Sequence, residues 1–138
     1  MKPKFIEFYM DVAKRVSQLS TAEKLKVGAI LVKNNNILGF SYNGTPSGWE
    51  SNVCETIVDG EFKTKSEVSH AEENLIVKLA KSSESSENGI MFVTHNPCYM
   101  CARMINNAGI TEVYYSYEYR DSSGIFFLRK CGIKVEKI

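Results

Sequence analysis

A three-layer α/β/α fold with a mixed central sheet of about five strands is what this sequence predicts, on three observations. An amphipathic helix opens the chain, a β-hairpin follows it, and from residue 69 onward helical and strand-like stretches alternate. The length of 138 residues suits one domain, 1–138, with a single buried core.

Phe5, Phe8, Tyr9, Val12, Val16 and Leu19 recur at helical spacing and mark residues 4–19 as the first helix. "KVGAILV" and "ILGFSY" are β-rich runs joined by Lys33-Asn34-Asn35-Asn36, a hairpin signal. "YNGTPSG" holds two glycines and a proline, so it reads as a shaped loop. Residues 49–68 lack clear periodicity and read as an irregular excursion beside that loop. Ser69 to about Lys81 is helical, and "SSESSENG" is a solvated turn. Then come the strand "IMFVTH", the helix "PCYMCARMINNAG" closed by Gly109, and the strand "EVYYSY". The helix "DSSGIFFLRKCG", closed by Gly132, and the strand "IKVEKI" complete the order.

Composition narrows the function classes. The opening "MKPKFIEFYMDVAKRV" interrupts its apolar residues with charges, so it is neither a signal peptide nor a membrane span, and a cytoplasmic protein is expected. There cysteines stay reduced, and a close pair points to metal or catalysis more than to a disulfide. A net charge of +1 gives no general attraction to nucleic acid or to a membrane surface. An anionic small molecule would instead be held by a few local groups.

Two of the four cysteines sit in "NPCYMC". With Asn96 as N-cap and Pro97 in the first turn, Cys98 and Cys101 form an i, i+3 pair at a helix N-terminus, where the helix dipole favours thiolates. A redox dithiol of the thioredoxin type wants a proline between its cysteines and a second, cis proline downstream. Here the prolines are Pro3, Pro46 and Pro97, so that reading recedes. Two thiolates leave a zinc ion short of ligands, and the chain has two histidines. His70 opens the helix in "SHAEEN" and is the better ligand; His95 alternates with Val93 on a strand and reads as packed or solvent-facing. Three protein ligands with a fourth position open is the catalytic pattern, whereas four would be structural. Cys54 and Cys131 are isolated and read as small hydrophobes.

Glu72 supports two readings. Ser69-x-x-Glu72 is a capping box, and Glu72, at i+2 from His70, points away from the same metal. A general acid/base near the metal but outside its ligand set needs that placement, and H-x-E…P-C-x-x-C is the known pattern of zinc deaminases. Glu73 reads as a surface residue.

With these residues in view, the sequence resembles the cytidine deaminase superfamily and, within it, the deoxycytidylate (dCMP) deaminases. "HAEEN" with "PCYMC" carries the superfamily resemblance; "KVGAILV" followed by "GFSYNGTPSG" narrows it, and the order of elements matches over nearly the whole chain. The resemblance implies a cytidine deaminase-like fold with one catalytic Zn2+ on His70, Cys98 and Cys101, Glu72 as proton shuttle, Asn43 on the sugar and Ala71 at the substrate. It further implies dCTP activation and dTTP inhibition through a surface that includes Tyr42 and Gly44, Mg2+ accompanying the triphosphate, and a homo-hexamer. Many relatives carry cysteines near positions 22 and 53 that hold a second zinc; here Ala22 and Val53 stand there with only Cys54 nearby, which counts against that site.

The expected reaction is hydrolytic deamination of dCMP to dUMP and ammonia, supplying dUMP for thymidylate synthesis. Zinc would activate a water, and Glu72 would move its proton to N3 and towards the departing amine. Tyr114, Tyr115, Tyr117 and Tyr119 are strand core by default, with Tyr119 best placed to border the base. The 5′-phosphate needs cations, for which Arg120 is preferred, just before the expected helix cap Asp121, with Lys24 and Lys26 next. The rivals are cytidine, CMP or tRNA adenosine deaminases of the same fold, and a non-catalytic zinc-stabilised binding module, which a fourth protein ligand would favour.

Overall fold

The computed structural model describes residues 1–119 and 121–138. Helix α1 (Pro3–Ser17) begins with proline, whose missing N–H costs nothing in a first turn. Its buried stripe is Tyr9, Met10, Ala13 and Val16. Phe8 and Leu19, expected on that face, are exposed; Leu19 lies beyond the helix end, and the stripe passes through Met10 and Ala13 instead.

Strands β1 (Gly28–Lys33) and β2 (Asn36–Tyr42) form the expected antiparallel hairpin. Asn34 and Asn35 both have positive φ, 50° and 59°, the backbone a two-residue type I′ turn requires and one asparagine tolerates. Residues 49–68 depart from expectation, for they contain a second hairpin, β3 (Glu55–Val58) and β4 (Glu61–Thr64), outside the main sheet. Its turn is Asp59-Gly60, again with positive φ at both residues. All but Glu55 of its strand residues are exposed, so no burial alternation marks them as strands.

Helix α2 (Ala71–Ala80), strand β5 (Ile90–His95), helix α3 (Tyr99–Asn107), strand β6 (Glu112–Tyr117), helix α4 (Ser123–Lys130) and strand β7 (Lys134–Lys137) follow in the expected order. Gly109 and Gly132 close α3 and α4 with φ of 78° and 85°. The main sheet runs β2-β1-β5-β6-β7; β1 is antiparallel to both neighbours, and β5, β6 and β7 are parallel.

Alternation along the central strands divides the core. Ile30, Val32, Phe92 and Tyr114 face α1, whereas Ala29, Leu31, Met91, Val93, Val113 and Tyr115 pack with the buried faces of α2, α3 and α4. The sheet is thus sandwiched, one helix on one side and three on the other. Because β1 opposes both β2 and β5, the latter two run the same way, and their C-terminal ends, Tyr42 and His95, lie at one sheet edge beside Gly28. A hydrogen bond from Gly28 N to Thr94 Oγ1 (3.2 Å) ties that edge. No helix among the described residues is long and apolar enough to cross a membrane.

Helix α4 approaches that edge without a side chain at Gly124. A Cβ there would run into the Pro97 carbonyl oxygen and reach 2.9 Å from that of Cys98. Gly124→Ala must therefore push α4 away from the start of α3. Its expected cost, by analogy with overpacked cores, is about 1–3 kcal/mol of unfolding free energy, read by urea titration against wild type.

Candidate active site

Two helix beginnings supply the reactive side chains. His70 is the N-cap of α2, Cys98 is the N-cap of α3, and Cys101 lies in the first turn of α3. The expected cap Asn96 and first-turn Pro97 both lie ahead of the helix; the cap passes to Cys98, whose sulfur accepts a hydrogen bond from Cys101 N at 3.4 Å. Asn96 instead braces the next loop. It is buried, accepts from Tyr119 N (2.9 Å) and donates to the Asp121 carbonyl (3.2 Å). Asp121 is likewise not the N-cap of α4, which is Ser122, although its carboxylate accepts from Ser123 N (2.9 Å).

His70 Nδ1 lies 3.3 Å from Cys101 Sγ and 3.6 Å from Cys98 Sγ, and all three donor atoms fall within 4.8 Å of one another. Tetrahedral zinc, with bonds of about 2.3 Å to sulfur and about 2.0 Å to nitrogen, separates its nitrogen and sulfur ligands by about 3.5 Å. The donor set and its spacing therefore fit zinc. No fourth histidine, cysteine or carboxylate joins the group among the described residues, which is the pattern of an open site. Hydrogen bonding by the Cys101 side chain holds the Cys98 thiol down to about 3, while the Cys98 contact and burial push Cys101 well up. Contact with a divalent cation makes thiolates of both.

The adjacent carboxylates take opposite roles. Glu73, not Glu72, closes back on the helix start, its Oε1 accepting from His70 N at 3.3 Å. The capping interaction is one residue later than expected, and Glu73 is half-buried and engaged, unlike the surface residue expected. Glu72, 4% exposed, lines the cleft with His70, close enough that its charge contributes to the upward push on Cys101.

A concave cleft opens beside these donors, the kind of place where small ligands bind. Ala71, Asn43 and Tyr119 line it, and His95, read as packed or solvent-facing, also lines it, half-buried and near-perpendicular to the Tyr119 ring with centroids 6.2 Å apart. Tyr114 and Tyr115 are core, while Tyr117 and Tyr119 are exposed. The Asn43 amide accepts from Val27 N (2.9 Å) and donates to the Leu25 carbonyl (2.8 Å), holding the segment before β1. Gly44 exchanges two backbone hydrogen bonds with Ser69, at 3.2 and 2.9 Å, and the Tyr42 carbonyl accepts from Asn74 Nδ2 at 2.9 Å. Lys24 is the only lysine or arginine among the described lining residues. Lys26 points elsewhere, Nζ donating to the Ser20 carbonyl at 2.6 Å. Arg120 lies outside the described residues. Glu55, which the sequence did not single out, also lines the cleft and is buried.

The family model for the cytidine and deoxycytidylate deaminase zinc-binding region matches residues 3–117. The chain is 37% identical to human deoxycytidylate deaminase over 121 residues, covering 84% of this chain and 67% of that protein. It is 31% identical to the deoxycytidylate deaminase of Mycobacterium phage D29 over 127 residues, covering 85% of this chain and 98% of that protein. The crystal structure of dCMP deaminase from the cyanophage S-TIM5 in complex with dCMP and dUMP superposes with a TM-score of 0.94 at 48% identity, covering 100% of this chain and 99% of that one. If the three donors hold the metal together, Cys101→Ala should drop zinc content well below one per chain on elemental analysis of protein purified with zinc present, and full retention would assign the metal elsewhere.

Proposed function

We propose that the protein deaminates dCMP to dUMP and ammonia, and the premise is plain: the chain belongs to the family of cytidine and deoxycytidylate deaminases with a common zinc-binding region. The observation that carries the reading is Glu72, a buried carboxylate beside a three-donor metal group and outside it, on the wall of a cleft. The choice of dCMP draws its support from the 48%-identical cyanophage dCMP deaminase, solved with dCMP and dUMP.

In this reading His70, Cys98 and Cys101 hold the zinc. Zinc, when bound there, supplies the Lewis acidity that makes water nucleophilic near neutral pH. Glu72 takes the proton of the attacking water and passes it to N3 of the pyrimidine, then aids protonation of the departing amine. A C4–O bond forms, the C4–N bond breaks, and ammonia leaves. Ala71, at the first position of α2, shapes the floor beside the base. Tyr119 borders the ring and Asn43 meets the sugar, its amide oriented by the 25–27 backbone. Lys24 meets the 5′-phosphate, with Arg120 a second cation for it; Lys26, committed to the Ser20 carbonyl, is the weaker candidate.

The same reading extends to regulation and assembly. dCTP with Mg2+ activates and dTTP inhibits, acting on the surface around Tyr42 and Gly44. The support is mechanical, since the Gly44–Ser69 pairing joins that loop to the residue before His70. A cytoplasmic homo-hexamer completes the proposal, with exposed Tyr99 and Phe126 as apolar contact surface.

Glu72→Gln should retain zinc and melt within a few degrees of wild type, yet lose about 10²–10⁴-fold in kcat. A variant with near-normal turnover would remove Glu72 from the proton path. In an ammonia-release panel, dCMP should exceed CMP, deoxycytidine and adenosine in kcat/KM. Steady-state curves taken with and without dCTP and dTTP test the regulatory part, and curves unmoved by either nucleotide would overturn it.

A further inference from the structure

Residues 20–27 form one wall of the cleft without belonging to a helix or strand of the sheet, and side chains hold them in place. Asn43 holds the end nearest β1, at Leu25 and Val27. Ser20 holds the other end, its hydroxyl donating to the Asn43 carbonyl (2.7 Å) and accepting from Ala22 N (3.1 Å). The middle rests on Glu55. Its carboxylate, 6% exposed, accepts from Glu23 N through both oxygens (3.2 and 3.1 Å) and from Lys24 N through Oε2 (3.1 Å). Successive backbone amides turned to one carboxylate form a small anion-binding nest, and here the anion is part of the chain.

We infer that Glu55 is a positioning residue for nucleotide recognition: it fixes the backbone of Lys24 so that the lysine ammonium meets the substrate phosphate. This rests on the reading that the cleft takes a nucleotide. Two observations support it. Lys24 is the only lysine or arginine lining the cleft among the described residues, and no carboxylate among them pairs with its ammonium. Its backbone is held by a charge-assisted contact to the buried Glu55 carboxylate, on a segment with no strand ladder of its own. Lysine carries a flexible point charge, so its contribution to a phosphate depends on where its backbone is held. A glutamine at position 55 keeps the shape but offers one oxygen, and its NH2 would turn a donor towards amides that are themselves donors. The segment then loosens, and the penalty falls on the phosphate and not on the base.

The test is titration of zinc-loaded protein with dUMP and deoxyuridine, which needs no turnover, alongside dCMP and deoxycytidine kinetics. Wild type should prefer dUMP over deoxyuridine. Lys24→Ala and Glu55→Gln should each reduce that preference by about tenfold, with a rise in KM for dCMP and little change in kcat. The double variant should lose no more than the single ones, because both act through one contact. The inference is overturned if Lys24→Ala leaves the preference intact, whether or not the Glu55 variant folds. Equal weakening of both ligands in Glu55→Gln, or multiplying effects in the double variant, overturns it too. A wild type that binds dUMP in this way yet never releases ammonia from dCMP would instead refute the deamination reading and leave the binding comparison to decide the role of Glu55.

Discussion

The site depends on one constraint: two helices must begin at the same sheet edge within a few ångströms of each other. Neither N-terminus alone brings enough donors together. The mixed sheet meets the constraint because β1 is antiparallel to both neighbours, so β2 and β5 end at the same edge and the chain leaves each towards a helix on one face. The Gly44–Ser69 exchange holds the start of α2, and the close contact of Gly124 with Pro97 and Cys98 holds the start of α3. A shift of 1–2 Å in either helix would separate the nitrogen from the sulfurs beyond what one ion can span. The close-packed cores on both faces of the central strands keep that edge from relaxing.

Around this rigid centre the cleft walls are irregular backbone, and irregular backbone buried from water must find its hydrogen-bond partners off the ladder. Asn43, Glu55 and Asn96 supply them. The two amides each accept one bond and donate another, and the Glu55 carboxylate accepts from two successive backbone amides. Such side chains set the shape of the pocket without touching a reacting atom. Replacing one leaves a buried amide unpaired, a cost of about 1–3 kcal/mol localised to one wall.

Much of this was legible in the sequence because it is written in local periodicity. The order of helices and strands from residue 69 onward, the Asn-Asn turn and the two closing glycines all follow from short-range rules, and the structure agrees with them. The grouping of His70, Cys98 and Cys101 was legible because cysteine and histidine at helix starts are few and chemically specific. The β3–β4 hairpin was missed although Asp59-Gly60 is a strong turn pair; its strands are almost wholly exposed, so burial wrote no alternation into them. Asn96 was read as a helix cap from its place before Pro97, but the helix starts two residues later than that reading required, and the freed amide reaches a loop more than twenty residues away. Glu55 was invisible for a similar reason, since its partners lie 31 and 32 residues earlier.

The neighbouring carboxylates Glu72 and Glu73 show how fine the register is. Both are glutamates at the start of α2, both are negative near a helix N-terminus, and composition cannot separate them. What separates them is about 100° of helical rotation. The third helical position reaches back to the N-cap amide, so Glu73 is held by the helix itself. The second position turns Glu72 inward, to 4% exposure, near enough to the buried Cys101 thiol for its charge to be felt there. Had the helix begun at Ser69, as the capping-box pattern suggested, Glu72 would have been committed to the backbone and Glu73 turned away. Starting one residue later divides the two carboxylates, Glu73 held on the helix start and Glu72 on the wall of the cleft that His70 also lines.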